Sequence, residues 1–299
     1  MTETVEGTII ATHGPLVRVQ VGSQTMVVAA RRKLRWEGGV PEAPRLVVGD
    51  CVEVELRSED GVVVGVQPRR TALLRRAAHG RRAQVLAANV DQALIVLAAR
   101  SPEPNRRLLD RFLVACSHAE IEAVITINKA DQGLDLVEPW LDVYCGLGYP
   151  VLRVAARTGR GLGQVKRRLV DRTTLFCGPS GVGKSSLLNA VYPGFRLRVG
   201  SISEATGKGR HTTSTAELMP LPYGGFVVDT PGLKEFGLWN LSHSELVAAF
   251  PELAREVGGC HYPDCTHVHE PECSVREAVE RGAIDAERYG SYLSLLEEV

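Results

Sequence analysis

The chain has 299 residues, 44% of them hydrophobic and 23% charged, which excludes a disordered or fibrous protein and leaves room for two or three domains with cores of their own. No apolar run approaches the roughly 18 residues of a membrane span, and the first residues lack a basic stretch followed by an apolar one, so a cytoplasmic protein without membrane contact is expected. The 35 basic and 35 acidic residues cancel overall, yet residues 1–82 carry 13 Lys/Arg against 9 Asp/Glu, residues 83–232 carry 17 against 13, and residues 233–299 carry 5 against 13.

The first seventy residues alternate apolar and polar side chains, as in VRVQV (17–21), MVVAA (26–30), DCVEVEL (50–56) and GVVVGV (61–66). Short strands separated by Gly or Asp turns predict a small all-β unit, most simply a five-stranded barrel. Arg31, Arg32, Lys33, Arg35 and Trp36 fall in one expected inter-strand loop, where cations and an aromatic suit RNA; a solvated loop is the alternative. The run RRTALLRRAAHGRR (69–82) holds six arginines and no acid, and reads as a solvated linker helix or as a polyanion contact.

After Arg82 the texture changes. ALIVLAA (93–99), EAVITIN (122–128), PVLRVAA (150–156) and TTLFCG (173–178) are continuous apolar runs, joined by helical patterns such as RRLLDRFLVACSHA (106–119). Strands apolar on both faces and alternating with helices predict a parallel sheet covered on both sides. Cys51, Cys116, Cys145 and Cys177 are isolated, and are expected to be buried thiols.

Three loops within this segment carry chemistry. EAVITIN ends in Asn128-Lys129-Ala130-Asp131, where a carboxylate at Asp131 can accept from both N1–H and the exocyclic amine of guanine while the Lys129 stem covers the base plane. TTLFC leads into Gly178-Pro179-Ser180-Gly181-Val182-Gly183-Lys184-Ser185-Ser186 and then a helical pattern. That is a phosphate-binding loop: backbone N–H groups face the phosphates at a helix start, Lys184 reaches the β- and γ-phosphates, and the Ser185 hydroxyl ligates Mg²⁺. GGFVVD ends in Asp229-Thr230-Pro231-Gly232, so that Asp229 holds Mg²⁺ through water and the Gly232 N–H points at the γ-phosphate. Together these motifs predict a GTP/GDP site.

Between them, Gly207-Lys-Gly-Arg-His-Thr-Thr213 has the polar, Gly-rich composition of a switch loop. Either Thr212 or Thr213 completes the Mg²⁺ shell, with Thr213 favoured. Leu233 stands where many GTPases have a water-orienting Gln, so intrinsic turnover is expected to be slow. The guanine-reading loop precedes the phosphate loop by about fifty residues, the reverse of the common order. A circular permutation of one sheet explains this, since ligands bind at the C-terminal strand edge whatever the chain order.

From about Gly237 the pattern is helical, broken by Cys260, Cys265, His267 and Cys273. Three thiolates and an imidazole predict one closed, structural Zn²⁺ site, with His261 and His269 as competing ligands.

AANVDQALIV (87–96), NKAD (128–131), GPSGVGKSS (178–186), GRHTT (209–213), DTPG (229–232) and the C-x4-C-x-H-x5-C segment (260–273) together resemble the ribosome small-subunit-dependent GTPase A family (RsgA, also called YjeQ). The resemblance implies an OB-fold over 1–72, a circularly permuted GTPase domain over 73–236 and a zinc-binding C-terminal domain over 237–299. It further implies GTP hydrolysis stimulated by the small ribosomal subunit, contact with its rRNA and a role in its late maturation; a monomer is expected. It makes His211 a candidate for positioning the attacking water, a contact to phosphate or RNA being the alternative. It places Ala155-Ala156 in the base-supporting loop, where the family usually has Ser-Ala, so that only the backbone can contact guanine there. Two further readings stay open: an rRNA scaffold in which GTP merely orders the switch loop, and an ATP-using kinase, which Asn128 to Asp131 disfavours.

Overall fold

A computed structural model describes residues 3–37, 45–56, 61–76, 83–195, 216–229 and 241–299. Five strands, β1 (Glu3–His13), β2 (Leu16–Val21), β3 (Gln24–Trp36), β4 (Cys51–Leu56) and β5 (Gly61–Val66), close a barrel in the order β1-β2-β3-β5-β4. Alternation decides which side chains enter it. Ile9, Val17, Val19, Val28, Val52, Val54, Val63 and Val66 point inward and are almost wholly buried, as expected of period-two patterning on strands with one wet face.

The basic segment 31–36 is not the expected loop. It continues β3, which leaves β2 and pairs in parallel with β5 through Arg35–Gly65 and Trp36–Val66 after an irregularity beyond Ala30. An extended backbone with a pairing partner satisfies its ladder hydrogen bonds, which a loop would leave to water. Arg31 pairs with Glu55 at 3.2 Å, and Arg35 pairs with Glu53. Arg32 and Lys33 remain exposed.

The arginine run is likewise not a helix. It enters a hairpin of β6 (Ala72–Arg76) and β7 (Ala83–Ala88), with residues 77–82 outside the described ones. Arg69 makes two hydrogen bonds to the fully buried Asp50, at 2.7 and 3.0 Å, and its guanidinium lies 5.6 Å from the Trp36 ring centre. Arg70 pairs with Asp91 at 2.9 Å. Arg69 therefore fastens the entry to the hairpin to the barrel, and Arg70 ties that entry to the chain just before β8.

The central sheet has the order β10-β9-β8-β11-β13-β12, from β8 (Gln92–Ala98), β9 (Glu122–Asn128), β10 (Val151–Arg153), β11 (Thr173–Cys177), β12 (Glu217–Pro220) and β13 (Phe226–Asp229). Five strands are parallel as expected; β12 is an antiparallel edge, because the short turn from Pro220 to Phe226 leaves no length for a crossover. One face is covered by α1 (Arg106–His118) and α2 (Glu138–Gly146), whose Leu109, Phe112, Leu141 and Tyr144 pack on Ile95, Leu97 and Ile125. The other is covered by α3 (Leu162–Leu169) and α4 (Lys184–Val191), whose Val165, Leu169, Leu187 and Leu188 pack on Leu94, Val96 and Val124. Cys116 and Cys177 are buried, but Cys51 is half-buried and Cys145, in the last turn of α2, is exposed.

The C-terminal segment folds as α5 (His243–Ala248), α6 (Pro251–Glu256), α7 (Ser274–Glu280) and α8 (Ala286–Leu296) around Phe250, Leu253, Val275 and Tyr292. Val114 of α1 belongs to the same core. Ion pairs surround this contact: Arg106 with Asp285 at 2.6 Å, Arg111 with Glu298 at 2.5 Å, and Arg288 with Asp110 at 2.6 Å and Glu252 at 2.7 Å. Among the described residues no helix is long and apolar enough to cross a membrane.

Candidate functional site

The phosphate loop follows β11 and ends in α4, as the motif requires. Gly178 has φ +129°, and a Cβ there would lie 2.1 Å from the Val96 carbonyl oxygen; only glycine lets the chain fold back over the end of β8. Lys184, at the first turn of α4, is buried, and its ammonium donates to the Gly178 and Pro179 carbonyls at 2.8 and 2.9 Å. Burial holds its pKa below the ordinary lysine value, so an anion arriving in the loop strengthens the charged form. Ser185 beside it is also buried.

Asn128 joins this loop to the base-reading loop. Its side chain is 1% exposed; the amide donates to the Val182 carbonyl at 2.9 Å, while its oxygen accepts the Ala156 N–H at 3.2 Å. Gly183 has φ +95°, and a Cβ there would come within 2.5 Å of the Asn128 amide nitrogen. One buried amide thus touches the phosphate loop, the strand end carrying Asp131 and the Ala155-Ala156 segment. Lys129 takes a left-handed conformation, φ 60°, that turns its ammonium back onto the Gly181 carbonyl at 2.7 Å and the Ser101 carbonyl at 2.5 Å. Asp131 follows on a single 3-10 turn, Ala130–Gln132, and is exposed.

Asp229 ends β13, the strand paired with β11. Burial raises its pKa, and Glu217, opposite it on β12, adds to the effect. A carboxyl in that setting gains most from a divalent cation, which is the behaviour a Mg²⁺ site needs. The structure therefore gathers Asn128, Lys129, Asp131, Ala155, Ala156, Gly178 to Ser186 and Asp229 on the C-terminal edge of one sheet. His211, Thr212, Thr213 and Gly232 lie outside the described residues.

A family model described as RsgA GTPase matches residues 66–239, and a relative from Gemmatimonas aurantiaca named small ribosomal subunit biogenesis GTPase RsgA is 40% identical across 100% of this chain and 99% of its own. The chain belongs to the RsgA family. A crystal structure of YjeQ from Thermotoga maritima is similar with a TM-score of 0.78 at 32% identity, covering 99% of this chain and 98% of that one. YloQ, described as a circularly permuted GTPase, follows with a TM-score of 0.75 at 30% identity, covering 99% and 95%. The RsgA architecture of barrel, permuted GTPase sheet and helical C-terminal region is thus the one present, and the reversed loop order is the family's permutation.

The Cys/His segment of this RsgA chain forms a group that could hold a metal ion. Ligand atoms of Cys260, Cys265, His267 and Cys273 all lie within 4.8 Å of one another. The His267 Nδ1 is 3.5 Å from the Cys260 and Cys273 sulfurs, which are 4.0 Å apart. Tetrahedral zinc, with Zn–S of about 2.3 Å and Zn–N of about 2.0 Å, requires separations of roughly 3.5 to 3.8 Å. His261 and His269 are exposed, and His261 faces Glu272.

Burial pushes the Cys265 thiol up to about 12 and lowers the His267 pKa, an effect to which His243 adds. Burial would also raise Cys260, but hydrogen bonds from Ser274 and Val275 bring it below the ordinary thiol value. A neutral imidazole beside thiols that shed protons to a cation suits metal uptake.

Two arrangements were not anticipated from the sequence. The Glu270 carboxylate accepts from the Thr266 N–H and hydroxyl and from the Val268 and His269 N–H groups, bracing the turn that carries His267 at φ 63°. These hydrogen bonds pull the Glu270 pKa far below the carboxylate range against the opposing effect of burial. The Thr-x-x-x-Glu spacing within a Cys/His loop was the available signal. The other is Ser101, whose carbonyl receives Lys129; a main-chain contact carries no sequence signature.

Proposed function

We propose that the chain hydrolyses GTP under stimulation by the small ribosomal subunit and acts in late maturation of that subunit through nucleotide-controlled binding and release. The observation that carries this reading is the Asn128 side chain, which binds the phosphate loop and the Ala156 N–H together and so aims a base reader and a phosphate cradle at one nucleotide. Asp131 takes the guanine edge, Lys129 covers the base, and the Ala155-Ala156 backbone supports its far side. The Lys184 ammonium, at present on two loop carbonyls, exchanges them for phosphate oxygens.

Ser185 and Asp229, with Thr213 or Thr212, hold Mg²⁺, which when bound neutralises charge developing between the β- and γ-phosphates. Gly232 senses the γ-phosphate, and His211 positions water. In the C-terminal region, Cys260, Cys265, His267 and Cys273 hold one structural Zn²⁺. We take 1–72, 73–236 and 237–299 as the units, acting as a cytoplasmic monomer. In the barrel, Arg32 and Lys33, which are exposed, are the cations of β3 best placed to touch rRNA, Arg31 and Arg35 being paired.

The test is GTP turnover with and without purified small subunits. Stimulation well beyond two-fold is expected, whereas a change of two-fold or less would favour the rRNA scaffold. In the same assay, His211→Ala is expected to abolish stimulated turnover and to leave GTP affinity within a few-fold; unchanged stimulation would remove His211 from the chemistry.

Metal removal supplies a further expectation. Cys273→Ser should lower zinc content, measured by mass spectrometry of the purified chain, from about one equivalent to near zero. It should also raise proteolysis around α7 and α8 while GTP binding persists. Full zinc retention would discard the ligand set.

A further inference from the structure

On the edge of the sheet away from the nucleotide site, Leu152, Gln164, Arg167, Arg168 and Arg172 line an open cleft of about 450 Å³. Arg172 immediately precedes β11, and Arg167 and Arg168 close the last turn of α3, so the cleft lies near the N-terminal ends of strands whose C-terminal ends carry Gly178 and Asn128.

Three guanidiniums share this space with one carboxylate: Glu122 accepts from Arg168 and from Arg172, each at 2.5 Å. Arg167 is exposed and has no acidic partner among the described residues, and the same holds for neighbouring Lys166. The Asp171 carboxylate lies against Gly224 instead. Like charges gathered around a single counter-charge repel one another. The packing of α3 does not require this, since it turns Leu162, Val165 and Leu169 to the core and leaves the cations outside. The surplus is relieved when an anion enters.

We infer that this cleft is a phosphate-backbone binding site for structured RNA, separate from the nucleotide site; the inference rests on the small-subunit reading above. Three features select RNA. Guanidinium forks match phosphate oxygens in geometry, and the Glu122 carboxylate presets two of them. The cleft is open rather than enclosed, which suits an extended chain. Two more exposed arginines, Arg157 and Arg160, precede α3 in the chain and have no ion-pair partner among the described residues. The acidic C-terminal module docks on α1, on the opposite face of the sheet. A polyanion is therefore steered toward α3 and repelled from the far side.

The test compares the wild-type chain with the double variant Lys166→Glu/Arg167→Glu, in surface positions that leave the core untouched. Binding to purified small subunits with a slowly hydrolysed GTP analogue, and to a labelled RNA duplex, is measured across salt concentrations. The variant is expected to bind both about tenfold more weakly at physiological salt, with the slope of log affinity against log salt shallower by about 2. Its GTP affinity and unstimulated turnover should equal the wild type's. Equal affinity and slope for both chains on the duplex would overturn the inference, as would a loss seen with poly-glutamate but not with RNA. A wild-type chain that binds the duplex through these residues yet ignores small subunits would instead overturn the small-subunit reading and leave the RNA site standing.

Discussion

Arg288→Ala is expected to destabilise the chain by about 3–5 kcal/mol, the usual cost of leaving buried charges without their partner. Arg288 is 1% exposed and donates to Glu252 at 2.7 and 3.1 Å and to Asp110 at 2.6 Å. Its guanidinium lies 4.7 Å from the Phe250 ring centre and 5.2 Å from that of Tyr144, whose hydroxyl donates to Asp110 at 2.7 Å. Burial alone would favour the neutral form, but hydrogen bonds to Glu252 and the charges of Asp110 and Glu252 hold the pKa above the ordinary arginine value.

Alanine strands two carboxylates, one on α1 and one on α6, in a space closed to water. The C-terminal module would then be released from α1 in order to solvate them. Urea unfolding, with hydrogen exchange along α8, measures both consequences. A loss below about 1 kcal/mol with α8 still protected would show that the cluster does not hold the module. Replacing Asp110, Glu252 and Arg288 together by apolar residues of similar volume should recover much of the loss, since the desolvation cost disappears with the charges.

Asp131→Asn is expected to weaken GTP binding by roughly 100- to 1,000-fold. Two hydrogen bonds to a charged acceptor contribute about 1.5–3 kcal/mol each, and a neutral amide that also presents a donor to the guanine amine keeps only part of that, leaving a loss of about 3–4 kcal/mol. Because Asp131 is exposed on a surface turn, folding should be unaffected. The variant should gain affinity for xanthosine triphosphate, whose C2 carbonyl accepts from the new amide. Calorimetric titration with both nucleotides and with ATP decides the matter; unaltered GTP affinity would place the base elsewhere.

Much of this was legible in the sequence because it is local. The valine-rich alternation of β4 and β5, the unbroken apolar run of β8 and the Gly178 to Ser186 loop each specify their conformation within a few residues, and the structure contains all of them. The Cys/His set was legible because thiols and imidazole are spaced to reach one point.

What escaped was set by partners distant in the chain. Residues 31–36 lie in a strand because β5, some thirty positions later, pairs with Ala29 and Ala30 before them and with Arg35 and Trp36 at their end, and no local pattern announces that. Arg69 opens a run with six arginines and no acid, yet its role follows from the buried Asp50. Arg288 reads as an ordinary helix cation, and its burial depends on Asp110 in a helix 178 positions earlier. The bridge through Asn128 lay between these cases: the motif named the residue, and only the fold showed that its amide holds the phosphate loop.

Whether loops arriving in reversed order serve one guanine nucleotide is decided by a crystal structure with a slowly hydrolysed GTP analogue and Mg²⁺. Both Asp131 carboxylate oxygens are expected within hydrogen-bond distance of guanine N1 and N2, the Lys129 stem over the ring, and the Lys184 ammonium moved from the Gly178 and Pro179 carbonyls to phosphate. A nucleotide bound at the loop with its base turned away from Asp131 would contradict this expectation.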